Sequence, residues 1–217
     1  GDFRHQGKTA GYPLCAESDS SPPPTPPPSP SPPPPPPTTP PPASPTTRDL
    51  SITLFPGWTW LSLNVELADN SITKAFENID VAFETGDYAK GQSAFAQYYP
   101  GFGWFGSLST VASDTMYKIK KAKNAVLTIT GAPTTLPKQI SLEAGWNYVP
   151  CPHQQSKALI AGALPSITYT QEDLIKSQLT FATYYTGYGW FGQLSTLDPG
   201  QGYKMKLAAG GASTFAA

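Results

Sequence analysis

One phrase in this chain is written twice. Tyr98-Tyr99-Pro100-Gly101-Phe102-Gly103-Trp104-Phe105-Gly106 returns as Tyr184-Tyr185-Thr186-Gly187-Tyr188-Gly189-Trp190-Phe191-Gly192, and each copy continues to a Tyr-Lys pair, Tyr117-Lys118 and Tyr203-Lys204. The spacing stays at 86 residues (98 to 184, 117 to 203). A register held over two dozen residues marks an internal repeat, and a repeat constrains architecture before any single residue is read.

Within each copy, β-branched and aromatic residues alternate with polar ones and are broken by glycine, which predicts short strands. In the first copy we expect strands at Ser51 to Phe55, Trp58 to Val65, around Ala82-Phe83, Ser93 to Tyr99, Trp104 to Thr110, Met116 to Lys121 and Ala125 to Thr130. Trp58 to Val65 is apolar on both faces, which predicts a central strand. Asp69, Asn70 or Ser71 can cap a short helix through Ile79, burying Ile72, Ala75, Phe76 and Ile79. Gly101-Phe102-Gly103 predicts a tight turn, where glycine takes positive φ without a Cβ clash.

The second copy predicts the same order: Gln139 to Leu142, Gly145 to Val149, a helix from Gln154 to Ala163, then Leu179 to Tyr185, Trp190 to Thr196 and Tyr203 to Leu207. Asp198-Pro199-Gly200 supplies an explicit turn. Its closing strand, Gly211 to Ala216, is weak beside Ala125 to Thr130, and a weak closing strand predicts an edge open to strand addition. The expected fold is mainly β: two tandem homologous small β-rich domains, each with one short helix, behind an extended polyproline II segment. The boundaries are an arm at 1–20, a proline rod at 21–49, repeats at 50–131 and 139–217, and a linker at 132–138 stiffened by Pro133 and Pro137.

The chain has 14 Lys and Arg against 15 Asp and Glu, so neither a basic field for nucleic acid nor an acidic field for cationic partners is expected. No apolar run approaches the roughly 20 residues of a membrane helix. Nothing at Gly1 resembles a signal sequence, so the chain reads as a mature, soluble product. Cys15 and Cys151 have no metal-ligand neighbours at useful spacing, so no metal site and no cofactor are expected. In an oxidising compartment they could pair, within one chain or between neighbours; otherwise both remain thiols.

Residues 1–20 are polar, with Phe3, Tyr12 and Leu14 their only large apolar side chains. From Ser21 to Pro45 proline dominates. It fixes φ and removes the amide donor, which predicts a semi-rigid polyproline II rod on the order of 75 Å long. The blocks Ser21 to Pro30 and Ser31 to Pro37 resemble the hydroxyproline-rich glycoproteins of green-algal and plant walls, the extensin and pherophorin-like proteins. The resemblance covers residues 21–46. It implies hydroxylation and O-linked sugars on Pro22, Pro23, Pro24, Pro26, Pro27, Pro28, Pro30, Pro32, Pro33, Pro34, Pro35, Pro36, Pro37, Pro40, Pro41 and Pro42, and on Thr25, Ser29, Ser31, Thr38 and Thr39. The alternatives are a bare spacer or a ligand for an aromatic groove. The chain has no Asn-x-Ser/Thr acceptor.

Gly145-Trp146-Asn147, Lys176-Ser177-Gln178, Trp190-Phe191-Gly192-Gln193-Leu194 and Pro199-Gly200-Gln201-Gly202-Tyr203 also resemble a module of secreted and cell-surface proteins. The first copy departs from it at Lys90-Gly91-Gln92 and lacks the Pro-Gly turn. The resemblance implies an extracellular structural or adhesive role.

Catalytic residues are not expected. His5 and His153 are the only histidines, and neither has a triad context. Glu84 with Asp87, and Glu172 with Asp173, read as solvated loop carboxylates rather than as a glycosidase pair. The five tryptophans, Trp58, Trp60, Trp104, Trp146 and Trp190, are expected in the cores of small domains. Phe102 and Tyr188, at hairpin tips, are either core or exposed contacts to sugar or to a neighbour's proline rod. These features together predict a structural subunit of an extracellular glycoprotein filament or wall. It would assemble with copies of itself through Phe3, Tyr12 and the rest of the arm, and carry covalent O-glycans. The alternative is a carbohydrate-binding or adhesive module on a glycosylated stalk.

Overall fold

In a computed structural model, residues 46–217 are described. The readings on Phe3, Tyr12, Cys15 and the proline segment lie outside them. The first repeat contributes strands β1 (Arg48–Leu54), β2 (Gly57–Ser62), β3 (Val65–Glu66), β4 (Tyr88–Lys90), β5 (Phe95–Tyr99), β6 (Gly103–Gly106), β7 (Met116–Lys121) and β8 (Ala125–Pro133). The second contributes β9 (Lys138–Leu142), β10 (Gly145–Val149), β11 (Lys157–Ala158), β12 (Leu174–Lys176), β13 (Phe181–Tyr185), β14 (Gly189–Gly192), β15 (Thr196–Leu197), β16 (Tyr203–Leu207) and β17 (Gly211–Phe215). The protein is mainly β.

Both repeats build one plan. Five strands run in the order β2-β7-β4-β5-β6 in the first and β10-β16-β12-β13-β14 in the second, every neighbour antiparallel. A smaller sheet, β1-β8-β3 in the first and β9-β17 in the second, closes each core. Alternation sends Leu50, Ile52, Leu54, Leu61, Ile119 and Leu127 into one hydrophobic cluster, and Ile140, Leu142, Val149, Ile175, Met205 and Phe215 into another. Both clusters belong to one compact unit.

Several expectations change. β2 is an edge strand of its sheet, not a central one. β8 runs to Pro133, into the stretch read as linker, because Val65 and Glu66 pair with Pro133 and Ala132. No strand forms at Ala82-Phe83. The first helix is a single turn, Ile72–Ala75, with the Ser71 hydroxyl accepting from the Lys74 amide, and Ile79 bridges to Leu127 instead of extending it. The second helix is absent. Lys157 and Ala158 pair with Leu197 and Thr196, and only a 3-10 turn, Leu159–Ala161, follows before Gly162 at φ 78° ends it. Tertiary strand pairing has overridden local helix propensity. The closing strand β17 does form, five residues in register with β9.

The repeated Trp-Phe-Gly has a steric cause. A Cβ on Gly106 would lie 2.2 Å from the Phe95 carbonyl oxygen, and one on Gly192 2.2 Å from that of Phe181, with φ of 150° and 154°. Only glycine lets β6 and β14 approach their partner strands this closely. Gly101, Gly103, Gly187 and Gly189 take positive φ in the hairpin turns, as expected.

Candidate functional site

The tight loops after β4 and β12 are closed by backbone bonds from Gly91 to Ala94 and from Ser177 to Thr180, both 2.8 Å, so the glutamine between them projects outward. Gln178 accepts from the Trp60 amide (3.0 Å) and donates to the Trp58 carbonyl (2.6 Å). Gln92 accepts from the Tyr148 amide (2.6 Å) and donates to the Trp146 carbonyl (3.2 Å). Each side-chain amide therefore mimics a peptide group of a further strand and caps the open edge of the other repeat's sheet. Such reciprocity is the signature of an approximate twofold relation between the repeats.

The rest of the joint is one-sided. The Pro199 turn lays its backbone along β2: Ser62 N–H donates to the Gly200 carbonyl (3.1 Å), and Gly202 N–H to that of Trp60 (3.3 Å). The fully buried Ser62 hydroxyl donates to the Gln201 carbonyl at 2.6 Å and accepts from the Cys151 amide at 2.9 Å. Asn64 and Gln154 add bonds to the His153 and Asn64 carbonyls, 3.0 and 2.6 Å. A Cβ on Gly202 would stand 2.7 Å from the Leu61 carbonyl oxygen and 2.8 Å from the Cβ of Met116, the residue 86 positions earlier. Methionine in one copy thus fills the space that glycine leaves in the other. Beside this joint lies a cleft of about 590 Å³, lined by Ile52, Phe55, Trp58, Trp60, Gln178 and Leu179 among others.

The outer faces of the five-stranded sheets carry the strongest surface signal. Cross-strand partners share a face, so the register places Trp58, Trp60, Tyr88, Lys90, Phe95, Phe105, Lys118 and Lys120 on one face. Trp146, Tyr148, Lys176, Phe181, Phe191, Lys204 and Lys206 share the other. The two faces meet at the joint, where Lys118 lies 5.4 Å from the Tyr148 ring and Lys204 5.6 Å from the Trp60 ring. Five equivalent pairs of large aromatics are exposed: Trp58/Trp146, Phe95/Phe181, Tyr99/Tyr185, Phe102/Tyr188 and Phe105/Phe191.

Of the residues singled out in the sequence, Phe102 and Tyr188 stand at the hairpin tips, each 81% exposed. Trp104 and Trp190 pack against the cores, edge-on to Tyr98 and Tyr184. Trp58, Trp60 and Trp146 do not, because alternation turns Thr59, Leu61, Asn147 and Val149 inward instead. Cys151 is fully buried in the second core, and burial pushes its thiol up to about 12. His153 is buried with Nε2 2.9 Å from the Ala163 carbonyl oxygen, and burial holds its imidazole below the ordinary value. Neither has the exposed partner geometry of a nucleophile or base.

In each acidic pair the aspartate is buried and structural, while Glu84 and Glu172 are open to solvent as expected. Asp87, read as a solvated carboxylate, is buried against Lys121 at 3.1 Å. Asp173 is buried too, accepting from the Thr170 and Ala208 amides at 2.7 and 2.8 Å. Glu84 pairs with exposed Lys123. Glu172 takes φ 69° at the position of Gly86. Among the described residues no group of His, Cys, Asp and Glu could hold a metal ion, and no helix is long and apolar enough to cross a membrane. The signal that sequence reading missed was the glutamine of Lys-x-Gln, repeated at 92 and 178. Neither the protein-family models, nor the curated proteins, nor the solved structures give a match to this chain.

Proposed function

We propose that this chain is a structural subunit of an extracellular glycoprotein filament or wall, with two homologous β-rich domains as its body and no chemistry of its own. The arm and the O-glycosylated proline rod reach a neighbouring copy through head-to-tail contacts, since only a non-closing contact propagates into a fibre. The observation that carries the reading is the set of five repeated pairs of exposed aromatics. Apolar side chains displayed on this scale by a soluble β unit mark contact surfaces.

Electron microscopy of native material, with intact-mass analysis of the same sample, tests this. The expected result is filaments, with mass above the sequence value of 23.1 kDa and the excess on residues 21–46. Deleting residues 1–20 should abolish assembly while the β unit keeps its far-UV circular dichroism. A truncated chain that still polymerises overturns the head-to-tail reading. The exposure of Phe102 and Tyr188 favours a second reading, an adhesive module on a stalk; monodisperse monomers at the bare sequence mass would select it.

A further inference from the structure

Six of the chain's fourteen Lys and Arg residues crowd onto the joined outer faces: Lys90, Lys118, Lys120, Lys176, Lys204 and Lys206. No carboxylate occupies an outward position on these sheets, and among the described residues none of the six forms an ion pair. The crowding is greatest at the joint. The Nζ atoms of Lys118, Lys204 and Lys176 lie 4.6, 5.6 and 5.7 Å from the centre of the Trp60 ring. Lys118 and Lys204 also stand 5.4 and 5.1 Å from that of Tyr148.

An aromatic face attracts a cation but does not neutralise it, so three ammonium groups about one indole repel one another. Lys118 registers this: burial first, then Lys204, Lys90 and Lys176, push its ammonium down to about 8. Half-buried like charges on three strands of two sheets, Lys118, Lys176 and Lys204, relax when an anion joins them. Beside the cluster, Trp58, Tyr88, Phe95, Lys90 and Lys120 line a hollow of about 270 Å³ with aromatic walls and ammonium rims.

We propose that this surface binds an acidic saccharide, a uronic-acid or sulfated sugar chain. Its anionic groups lie among Lys118, Lys176 and Lys204, and its ring faces lie on the exposed aromatics beside them. Charge complementarity selects a polyanion, and the aromatic walls select one with flat apolar faces. The choice of a sugar over another polyanion rests on the extracellular reading above; the anion site does not.

The test is tryptophan-fluorescence titration of the full chain with an oligogalacturonate and a sulfated oligosaccharide, against neutral cello-oligosaccharide of equal length and oligothymidylate of equal charge. Saturable quenching by one or both acidic sugars is expected, weakening as salt is added. Lys118→Gln with Lys204→Gln should bind about tenfold more weakly, the scale of one charge-assisted contact. Lys118→Arg with Lys204→Arg should restore binding, and Lys74→Gln should leave it unchanged. Relief of repulsion should leave the glutamine variant with a melting temperature no lower than wild type, so loss of binding cannot be loss of fold. Neutral sugar binding as well as acidic, oligothymidylate binding more tightly than either sugar, or a glutamine variant binding like wild type would each overturn the proposal. Micrographs of the same preparation judge the filament reading separately: sugar binding by a monomer leaves the anion site standing and removes the filament.

Discussion

The two repeats share a strand plan but solve the same buried position differently. In the first, Asp87 meets Lys121, both nearly inaccessible, with the ammonium also donating to the Ala82 carbonyl at 3.0 Å and lying 4.5 Å from the Phe83 ring centre. In the second, the counterpart of Lys121 is Leu207, and Asp173 is satisfied by backbone amides alone. An aspartate closing this loop therefore needs donors, not a cation. The lysine is an addition of the first copy, where it ties β7 to the Ala82 loop.

That difference yields the largest expected effect. Lys121→Leu, which makes the first copy imitate the second, leaves Asp87 buried without its cation and should cost about 3–5 kcal/mol in urea unfolding. Adding Asp87→Asn should recover much of that loss. The Glu84 amide already donates to the Asp87 carboxylate at 2.9 Å, as Thr170 does to Asp173, so full tolerance of Lys121→Leu would mean that this one amide suffices where the second loop uses two.

At the joint, Met116→Ala empties a fully buried site and should cost about 2–5 kcal/mol. Gly202→Ala overfills the equivalent site and should cost about 1–3 kcal/mol. Equal tolerance of both would show the two halves to be looser than their contacts imply.

The glutamine clasps sharpen the comparison further. Gln92→Ala and Gln178→Ala each remove two hydrogen bonds, worth about 1 kcal/mol apiece. Gln92→Ala should be the more costly, because the β2 edge keeps its bonds from Gly200 and Gly202 whereas β10 keeps little beyond Thr115 Oγ1 to the Tyr148 carbonyl at 3.4 Å.

The smallest effect is one of pH. Burial and the neighbouring lysines push Lys118 down to about 8 in the folded chain, from its ordinary value of 10.5. Between these values the unfolded chain binds more protons, so stability rises with pH. Cys151 and Tyr117, both raised to about 12 by burial, pull the opposite way above their ordinary values of 9.0 and 10.0. The rise is therefore read as the difference between wild type and Lys118→Gln across pH 8 to 10.5. A flat difference would mean that Lys118 is better solvated than the cluster suggests.

The repeat, the β class, the hairpin turns and most strands were legible because alternation and glycine placement are local signals. Helices were over-read. A capped apolar stripe is equally local, but Ile79 and Lys157 find strand partners distant in sequence. The joint was illegible for the same reason. Nothing near Gln92 or Gln178 says that its amide will meet a strand edge 54 or more residues away. Trp58 and Trp146 misled because a large aromatic on a small domain is ordinarily buried, and here the register turns both outward.

The pairing of Met116 with Gly202 has a consequence for ancestry. Two identical copies of the first repeat would meet methionine against methionine, and two of the second would leave a hollow. A symmetric dimer of one unfused ancestor could not have had this joint. Each half therefore carries a shape that only the other completes, and the two cannot be exchanged copy for copy.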